Sequence, residues 1–240
     1  MWWFAATHSN LLMLYRRMTR YRDPAKPMLD AGCGTGGLLA KIGAEYPEGS
    51  VIGLDANREA CARASAKSAL PICNGSVNML PFADGAFAAI FSADVLCHRD
   101  VDEHAALAQF RRCLAGDGLL VLNLPAYRWM LSRHDTAVYN VRRYTRHRLA
   151  RLLAAAGFRV LYLNYWNAVL FPIMVLSRKL LPAGGNVTSD VTIYPAPIEA
   201  FCRTVTAIER GLLRRGVRLP FGGSLIAVAA KAPLSGGANA

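Results

Sequence analysis

The feature that most constrains the fold of this chain is a cluster of glycines directly after a short apolar segment. Residues 28–37 read M-L-D-A-G-C-G-T-G-G. The apolar spacing predicts a strand over Met28–Ala31 that runs into the glycines and a helix over Leu38–Tyr46 that follows them. Glycine has no Cβ, so a backbone turn built from it can pass close to a ligand. This stretch therefore predicts a ligand-binding turn at the carboxyl end of a strand.

The rest of the chain alternates helical and strand patterns. We predict further helices over 8–22, Arg58–Ala69, Glu103–Leu114, 146–156 and Ile198–Arg215, and further strands over Val51–Leu54, Pro71–Cys73, Phe87–Ser92, Leu119–Leu122, Arg159–Tyr165 and Ser224–Ala230. Such alternation predicts an α/β fold with a doubly wound, mostly parallel sheet that binds ligands at the strand carboxyl ends. We expect a cap with aromatic residues over 1–26, one domain over 27–232 with substrate-side insertions at 125–145 and 166–200, and a disordered tail at 233–240.

Composition limits the class of protein and its partners. The chain has 240 residues, of which 53% are hydrophobic and 18% charged. This composition is typical of a globular protein and not of an intrinsically disordered one. Its 28 basic and 16 acidic residues give a net charge of +12, which favours an anionic partner such as phosphate, an anionic membrane or nucleic acid. A generally basic but inert surface remains the alternative.

The six cysteines have no metal-ligand spacing and are typical of reduced thiols in a cytoplasmic protein. We predict no metal site. The first residues have no basic segment before their apolar stretch, so we expect no signal peptide.

The glycines fit two nucleotide-binding patterns at once. Gly32, Gly34 and Gly37 match the dinucleotide pattern G-x-G-x-x-G, whereas Gly36 in place of Gly37 gives a pattern typical of S-adenosylmethionine (SAM) sites. Asp30 favours the second pattern, because a carboxylate at this position can accept hydrogen bonds from the SAM ammonium group and would repel a pyrophosphate.

Beyond the first motif, several stretches resemble class I SAM-dependent methyltransferases, in particular the broad type 11 group. The likeness lies in L-D-A-G-C-G-T-G (29–36), Asp55, G-S-V-N-M-L-P-F (75–82), F-A-A-I-F-S-A-D-V-L-C-H (87–98), R-R-C-L-A-G-D-G-L-L-V-L (111–122) and A-A-G-F (155–158). The resemblance covers roughly residues 28–165 and the last strand. It implies a Rossmann-like fold, SAM as the cofactor and methyl transfer as the reaction.

The resemblance also implies roles for individual cofactor-binding residues. Asp30 is expected to bind the SAM amine, Gly32 and Gly34 to line its methionine part, Asp55 to accept the ribose hydroxyls and Ala56 to pack on the adenine. Where the family often has an Asp for the adenine amine, this chain has Ser76, so we expect the Ser76 hydroxyl and the Val77 amide to serve instead. The remaining residues predicted to border the cofactor are Cys33 and Ala93.

Residues on the acceptor side are harder to assign. His98 follows the fourth strand and is either a general base or a residue that fixes its loop through a backbone hydrogen bond. The segment 132–145 suggests His134 and Tyr144 as catalytic residues. Its arginines Arg142 and Arg143, with Tyr139, are predicted to bind an anionic acceptor.

Both aromatic and basic segments leave alternatives open. The alternative to acceptor binding is that the segment 132–145 is a solvated basic loop, in which Asp135 pairs with an arginine and Tyr144 lies in the core. Trp2, Trp3 and Phe4 either plug the core or close over a ligand, and we include Trp3 among the substrate-binding candidates.

No residue from Val160 to Ser177 is charged, but Asn164, Asn167 and Pro172 interrupt the stretch. We predict a buried strand followed by an apolar insertion rather than a membrane span. The second half suits an amphiphile with an anionic head, a membrane face or a dimer interface.

Taken together, the sequence predicts SAM-dependent methyl transfer to an oxygen of a small, lipid-linked or glycan-linked anionic acceptor by a cytoplasmic protein with peripheral membrane contact. The alternatives are an RNA-binding methyltransferase or another nucleic-acid-binding protein, a scaffold of the same fold without activity, and a dinucleotide oxidoreductase.

Overall fold

The structure, a computed structural model, describes residues 1–19, 25–47, 50–180 and 194–233. Numbered in chain order, its strands are β1 (Met28–Ala31), β2 (Val51–Asp55), β3 (Ile72–Asn74), β4 (Phe87–Ala93), β5 (Leu114–Pro125), β6 (Phe158–Trp166) and β7 (Ser224–Lys231). The helices are α1 (Trp2–Met18), α2 (Gly37–Glu45), α3 (Arg58–Ser68), α4 (Glu103–Cys113), α5 (Arg133–Ala137), α6 (Arg146–Ala155), α7 (Phe171–Leu180) and α8 (Ala196–Arg214).

These seven strands form one sheet in the order β3-β2-β1-β4-β5-β7-β6. Strands β1 to β5 pair in parallel, and β7 lies antiparallel between β5 and β6. The carboxyl ends of β1, β2, β4, β5 and β6 therefore meet at one edge of the sheet. The predicted doubly wound, mostly parallel α/β fold is confirmed, and the reversed direction of β7 is an addition to it.

Two apolar layers cover the sheet. On one face, Leu11, Leu14 and Tyr15 of α1 pack against Phe91 and Val121 of the sheet, together with α2. On the opposite face, side chains of α4 and α6 fill the second core, among them Leu107, Phe110, Leu149 and Leu153. Helix α8 lies beside α1 on the first face. Asp30 on β1 is buried as well, at 1% exposure.

Two elements begin five or six residues earlier in the structure than predicted. The first helix begins at Trp2 rather than at residue 8, so the three aromatic residues form its first turn. Strand β5 begins at Leu114, directly after α4, rather than at the predicted Leu119. A register shift opposite Phe87 and Ala89 accommodates this early start. Thr145 is the N-cap of α6, and its hydroxyl accepts a 3.3 Å hydrogen bond from the Arg148 amide.

The uncharged stretch 160–177 divides into two parts. Strand β6 ends in the buried Tyr165 and Trp166, and α7 follows after a short turn. Val169, Ile173 and Leu176 in this second part are more than half exposed. Among the residues described, no helix has both the length and the apolar character needed to cross a membrane. Part of the insertion predicted over 166–200, and most of the tail predicted over 233–240, lie outside the described residues.

Candidate active site

The glycine turn between β1 and α2 requires glycine at two positions. Gly32 has φ +82°, and a Cβ added there would lie 2.2 Å from Cγ2 of Val95. Gly36 has φ +78°, and its Cβ would lie 2.9 Å from the Ala64 Cα atom. Gly34 also has positive φ, whereas Gly37 is already the first residue of α2. The glycines with left-handed backbones thus have the G-x-G-x-G spacing, the pattern that favours SAM.

Asp30 is a buried carboxylate with an unsatisfied oxygen. Its side chain is 1% exposed, and its Oδ2 atom has no hydrogen-bond partner among the residues that the structure describes. Burial raises the pKa of Asp30 to about 7, the Leu39 backbone amide opposes this rise through a hydrogen bond, and the nearby Asp55 adds to it. A buried polar atom without a partner is costly. A ligand ammonium group would both supply the missing hydrogen bond and stabilise the ionised carboxylate.

Asp55 lies at the end of the neighbouring strand β2 and holds the glycine turn. One carboxylate oxygen accepts a 2.8 Å hydrogen bond from the Gly34 amide, and the other accepts one of 2.8 Å from the Asn57 amide. Asn74 donates to the Asp55 and Ala56 carbonyl groups and fixes this corner of β2 and β3. Each carboxylate oxygen can accept a second hydrogen bond, so the residue fits a pair of ribose hydroxyls.

The other predicted cofactor residues surround this corner with different exposure. Ser76 is exposed, and its hydroxyl accepts a 3.2 Å hydrogen bond from the Asn78 amide, while Val77 is buried. The Cys33 thiol is packed close to Gly53, and burial raises its pKa to about 12. Cys33 is therefore a neutral support beneath the turn and not a nucleophile. Ala93 ends β4 opposite Asn123.

A hydrogen-bonded chain at the ends of β4, β5 and β6 is the main feature that sequence reasoning missed. The Asp94 carboxylate accepts a 3.0 Å hydrogen bond from the Asn123 amide nitrogen, and the Asn123 oxygen accepts one of 2.7 Å from the Trp166 indole. Asp94 has φ +56°, an unusual conformation for this residue. Trp166 in turn stacks on Trp3, with ring centroids 4.8 Å apart. The signal in the sequence is a lone Asn in the apolar run L-L-V-L-N-L-P.

The protonation of Asp94 differs from that of a surface carboxylate. Burial raises the pKa of Asp94 to about 7, while the Asn123 hydrogen bond and the charge of Arg143 oppose the rise. At neutral pH this group exchanges a proton readily, as a general base must. Its place directly after β4 is where the fold holds its ligands.

His98 lies four residues further along the same loop and is half-buried. Its pKa is lowered by burial, against the opposing effects of Asp55 and of a hydrogen bond to the Asp94 backbone. The imidazole is therefore neutral at pH 7 and has one ring nitrogen in a backbone hydrogen bond. This hydrogen bond agrees with the predicted alternative of a loop-fixing role. The segment 139–142 packs beside this loop, since His98 forms a β-bridge with Asn140.

The structure corrects three acceptor-side predictions. The Tyr144 ring is fully buried, and its hydroxyl lies 2.9 Å from the Leu96 carbonyl and 2.8 Å from Glu103. Arg143 forms a buried ion pair with Asp135 at 2.8 Å. These two side chains are buried within the segment and are not exposed to an acceptor. The structure thus agrees with the alternative prediction, in which Asp135 pairs with an arginine and Tyr144 lies in the core.

Arg142 is the third correction. Its guanidinium donates to the carbonyl groups of Leu96, His98 and Val101 and so fixes the loop after β4. Tyr139 is exposed and has φ +58°, so it stays a candidate for acceptor contact. The His134 side chain lies outside the described part of the chain. Trp3 is half-buried against Trp166, which agrees with a core plug more than with a free lid.

Beside the Asp94 chain stands a group of aromatic side chains that we call the aromatic wall; its members are Tyr127, Trp129, Tyr165, Phe171 and Phe221. Tyr127 stacks on Tyr165 with centroids 5.2 Å apart, and it also contacts Trp129 and Phe171. Phe221 lies against Phe171, and Trp129 is 51% exposed. Exposed aromatic surface at the ligand-binding edge of a sheet fits an apolar ligand. The sequence analysis predicted acceptor binding by arginines of the segment 132–145 and did not predict this aromatic surface.

The fold and the glycine turn are similar to those of class I SAM-dependent methyltransferases. Residues 28–118 match the family model described as a methyltransferase domain. The predicted recognition is thereby confirmed, and SAM is the cofactor of this domain family. No curated protein matches the chain significantly.

Solved structures with the same fold include proteins of different activity. Geranyl diphosphate C-methyltransferase from Streptomyces coelicolor, solved with geranyl diphosphate and S-adenosyl-L-homocysteine, has a TM-score of 0.62 and 14% identity over 95% of this chain and 77% of its own. A putative methyltransferase in complex with the Haloferax volcanii Trm112 activator has a TM-score of 0.62 and 17% identity over 94% and 91%. The [4+2]-cyclase SpnF has a TM-score of 0.60 and 16% identity over 94% and 81%. At these identities the likeness shows the fold alone.

Proposed function

We propose that this protein transfers a methyl group from SAM to an amphiphilic acceptor, at an oxygen atom. The observation that carries the proposal is the buried, unpartnered Oδ2 atom of Asp30 beside the glycine turn. When bound, SAM supplies an electrophilic methyl group on a sulfonium. The residues of the chain then have to hold the cofactor, orient the acceptor and take up a proton.

In this proposal the cofactor residues are those of the turn and its two flanking strands. Asp30 binds the cofactor amine, Gly32 and Gly34 allow close approach of the backbone, and Asp55 accepts the ribose hydroxyls. The adenine lies against Ala56, with Ser76 and the Val77 amide at its edge. The geometry that supports these assignments is the Asp55–Gly34 hydrogen bond, which fixes the carboxylate at the mouth of the turn.

Proton uptake is assigned to Asp94, with His98 as the second candidate. Both follow β4, and Asp94 has a pKa near neutrality and a fixed orientation through Asn123. His98 is neutral at pH 7 and is already hydrogen-bonded to the Asp94 backbone. An acceptor hydroxyl requires such a base, whereas a carbon acceptor requires a stabilised carbanion or cation instead.

The aromatic wall is the surface that we assign to the apolar part of the acceptor. It offers the exposed ring of Trp129 next to Tyr127, and the neighbouring Arg128 is an exposed cation for an anionic head group. Since the guanidinium groups of Arg142 and Arg143 are hydrogen-bonded to carbonyl and carboxylate groups of the protein itself, we assign acceptor recognition more to its apolar part than the sequence predicted. The structural neighbour that was solved with geranyl diphosphate holds a ligand of this amphiphilic kind.

Contact with a membrane surface is a further part of the proposal. Val169, Ile173 and Leu176 present exposed apolar side chains at and after the turn into α7. The net charge of +12 attracts anionic lipids. An amphiphilic acceptor would then be taken from the membrane rather than from solution.

Calorimetric titration with SAM and with S-adenosyl-L-homocysteine tests the cofactor site. We expect binding by the wild type and a loss of at least about tenfold in affinity for Asp30→Asn and for Asp55→Asn, since each removes a charged hydrogen-bond acceptor. Asp117→Asn, at an exposed position, is the matched control and should bind as the wild type does. Absence of heat with either ligand would contradict the proposal.

The acceptor is found by incubating the protein with isotopically labelled SAM and a cell extract that contains lipids and glycoconjugates. Mass spectrometry then identifies the species that gains the methyl group. We expect an amphiphile, and we expect Trp129→Ala to reduce its labelling while SAM affinity stays unchanged. Labelling of RNA, with a steep dependence on salt, would instead favour the nucleic-acid alternative.

A further inference from the structure

A cavity lined by residues of α1, α2 and α8 lies outside the proposed methyl-transfer site, and we call it the basic trough. It has a volume of about 720 Å³ and lies between α1, α2 and α8. The buried side chains of Leu12 and Met13 on α1 line it and give it an apolar floor. Small residues on α8, Ala207 and Gly211, leave the space open. Neither residues of the glycine turn nor those of the aromatic wall line this cavity, so it is distinct from the proposed methyl-transfer site.

The walls of the basic trough carry five basic side chains and one acidic one. The basic residues are Arg16, Arg17, Lys41, Arg210 and Arg214, and the acidic residue is Glu45. The basic side chains come from all three helices, α1, α2 and α8. Like charges at such proximity are unfavourable unless an anion neutralises them.

Some of these cations have partners within the protein. Arg16 pairs with Glu45 at 3.3 Å, and Lys41 donates a 2.6 Å hydrogen bond to the Ser9 hydroxyl. Arg17 donates to the carbonyl groups of Leu213 and Arg214 at the end of α8. These contacts hold the walls in place.

The remaining two arginines lack such partners. Among the residues that the structure describes, neither Arg210 nor Arg214 has an ion pair, and neither guanidinium has a side-chain hydrogen bond. They lie four residues apart on α8, so their side chains project from the same side of the helix. Arg210 is half-buried, and its pKa is lowered by burial; the pKa of Lys41 is lowered by burial and by the charge of Arg210. An anion bound between these helices would stabilise the charged forms of Arg210 and Lys41.

We propose that the basic trough is a binding site for a phosphate-bearing ligand, with Arg210 and Arg214 as its main contacts. Arginine binds phosphate oxygens through forked, charge-assisted hydrogen bonds, and the apolar floor suits a ligand whose phosphate is attached to a less polar group. The phosphate reaches the trough either as a lipid head group or in a soluble metabolite.

The experiment uses inorganic pyrophosphate as the probe in calorimetric titration of the whole chain. We expect the double variant Arg210→Gln with Arg214→Gln to bind pyrophosphate at least about tenfold more weakly than the wild type. The control with the same net charge carries Arg151→Gln and Arg159→Gln, two exposed positions outside the trough, and should stay within about twofold of the wild type. SAM affinity, measured on each variant, reports that the fold is intact.

Further arms separate the sources of phosphate and the competing partner. Sedimentation of the wild type, but not of the trough variant, with phosphatidylcholine vesicles that contain phosphatidic acid assigns the phosphate to a lipid. Pyrophosphate binding without such sedimentation assigns it to a soluble ligand. The proposal is overturned if pyrophosphate gives no heat at millimolar concentration, if both double variants weaken binding equally, or if the trough variant loses RNA binding while pyrophosphate does not bind.

Discussion

The side-chain amide of Asn123 donates a 3.0 Å hydrogen bond to the Asp94 carboxylate. The same amide accepts the indole N–H of the buried Trp166. Asn123 is therefore held from one side by a rigid ring and can orient Asp94 on the other side. A carboxylate that exchanges protons near neutral pH is of use in methyl transfer only when its direction is fixed, and this pair fixes it.

Replacement of Asn123 by leucine should destabilise the protein. Asn123→Leu leaves the buried Trp166 N–H without an acceptor and removes the hydrogen bond that holds down the pKa of Asp94. We expect a loss of about 3 kcal/mol in the free energy of unfolding, measured with denaturant. Trp166→Phe removes the indole hydrogen bond and also part of a fully buried ring system, so it should be destabilising as well. Equal stability of wild type and Asn123→Leu would show that the hydrogen-bonded chain contributes nothing.

SAM affinity should rise with pH between 6 and 7.5. Burial raises the pKa of Asp30 to about 7, so the carboxyl is mostly protonated at pH 6 and mostly ionised at pH 7.5. Only the ionised form attracts the SAM ammonium group, which predicts an affinity roughly five- to tenfold higher at the upper pH. Titrations in two buffers of different ionisation enthalpy should detect proton release below pH 7. Asp30→Asn should remove this pH dependence, and a flat wild-type profile would argue against contact between Asp30 and the amine.

The stability of the protein without cofactor should fall as pH rises. The pKa of Asp30 is raised in the folded state from 3.8 to about 7. Its contribution is fully present below about pH 3.8 and is lost as pH passes through 7, because the unfolded chain gives up this proton first. Asp30→Asn should therefore be more stable than the wild type at pH 8, by up to about 4 kcal/mol for three pKa units. Unfolding in denaturant at pH 6 and pH 8 measures this, with Asp117→Asn as the unaffected control.

Loss of the buried ion pair should destabilise the fold without reducing SAM affinity. Arg143 and Asp135 are 5% and 1% exposed, so removal of either partner leaves the other charge buried. We expect a cost of about 3–5 kcal/mol for Arg143→Ala. Arg128→Ala, on the exposed side of the same segment, should cost less than about 0.5 kcal/mol. An Arg143→Ala variant of normal stability that loses only acceptor labelling would restore the original prediction of a binding role.

Local patterns were sufficient for the cofactor side of the protein. Asp30, the glycines and Asp55 lie within or directly after strands whose apolar runs are visible in the sequence, and a parallel sheet brings their ends together. The acceptor side was not predictable in this way. Whether Arg143 points to solvent or to Asp135, and whether Asn123 meets Asp94, depends on how distant segments pack. The direction of β7 likewise depends on its two neighbours, because an alternating or apolar strand has the same pattern in either direction.

The position of β7 has a consequence for how the chain acquires its structure during synthesis. This last strand separates β5 from β6, so neither can complete its backbone hydrogen bonds until residues 224–231 have left the ribosome. Until then β5 keeps an open edge, and Trp166 has no completed sheet around it. A nascent chain halted before Ser224 could form the glycine turn and its flanking strands. Without β7 to join β5 and β6, it could not assemble the aromatic wall that is proposed to contact the acceptor.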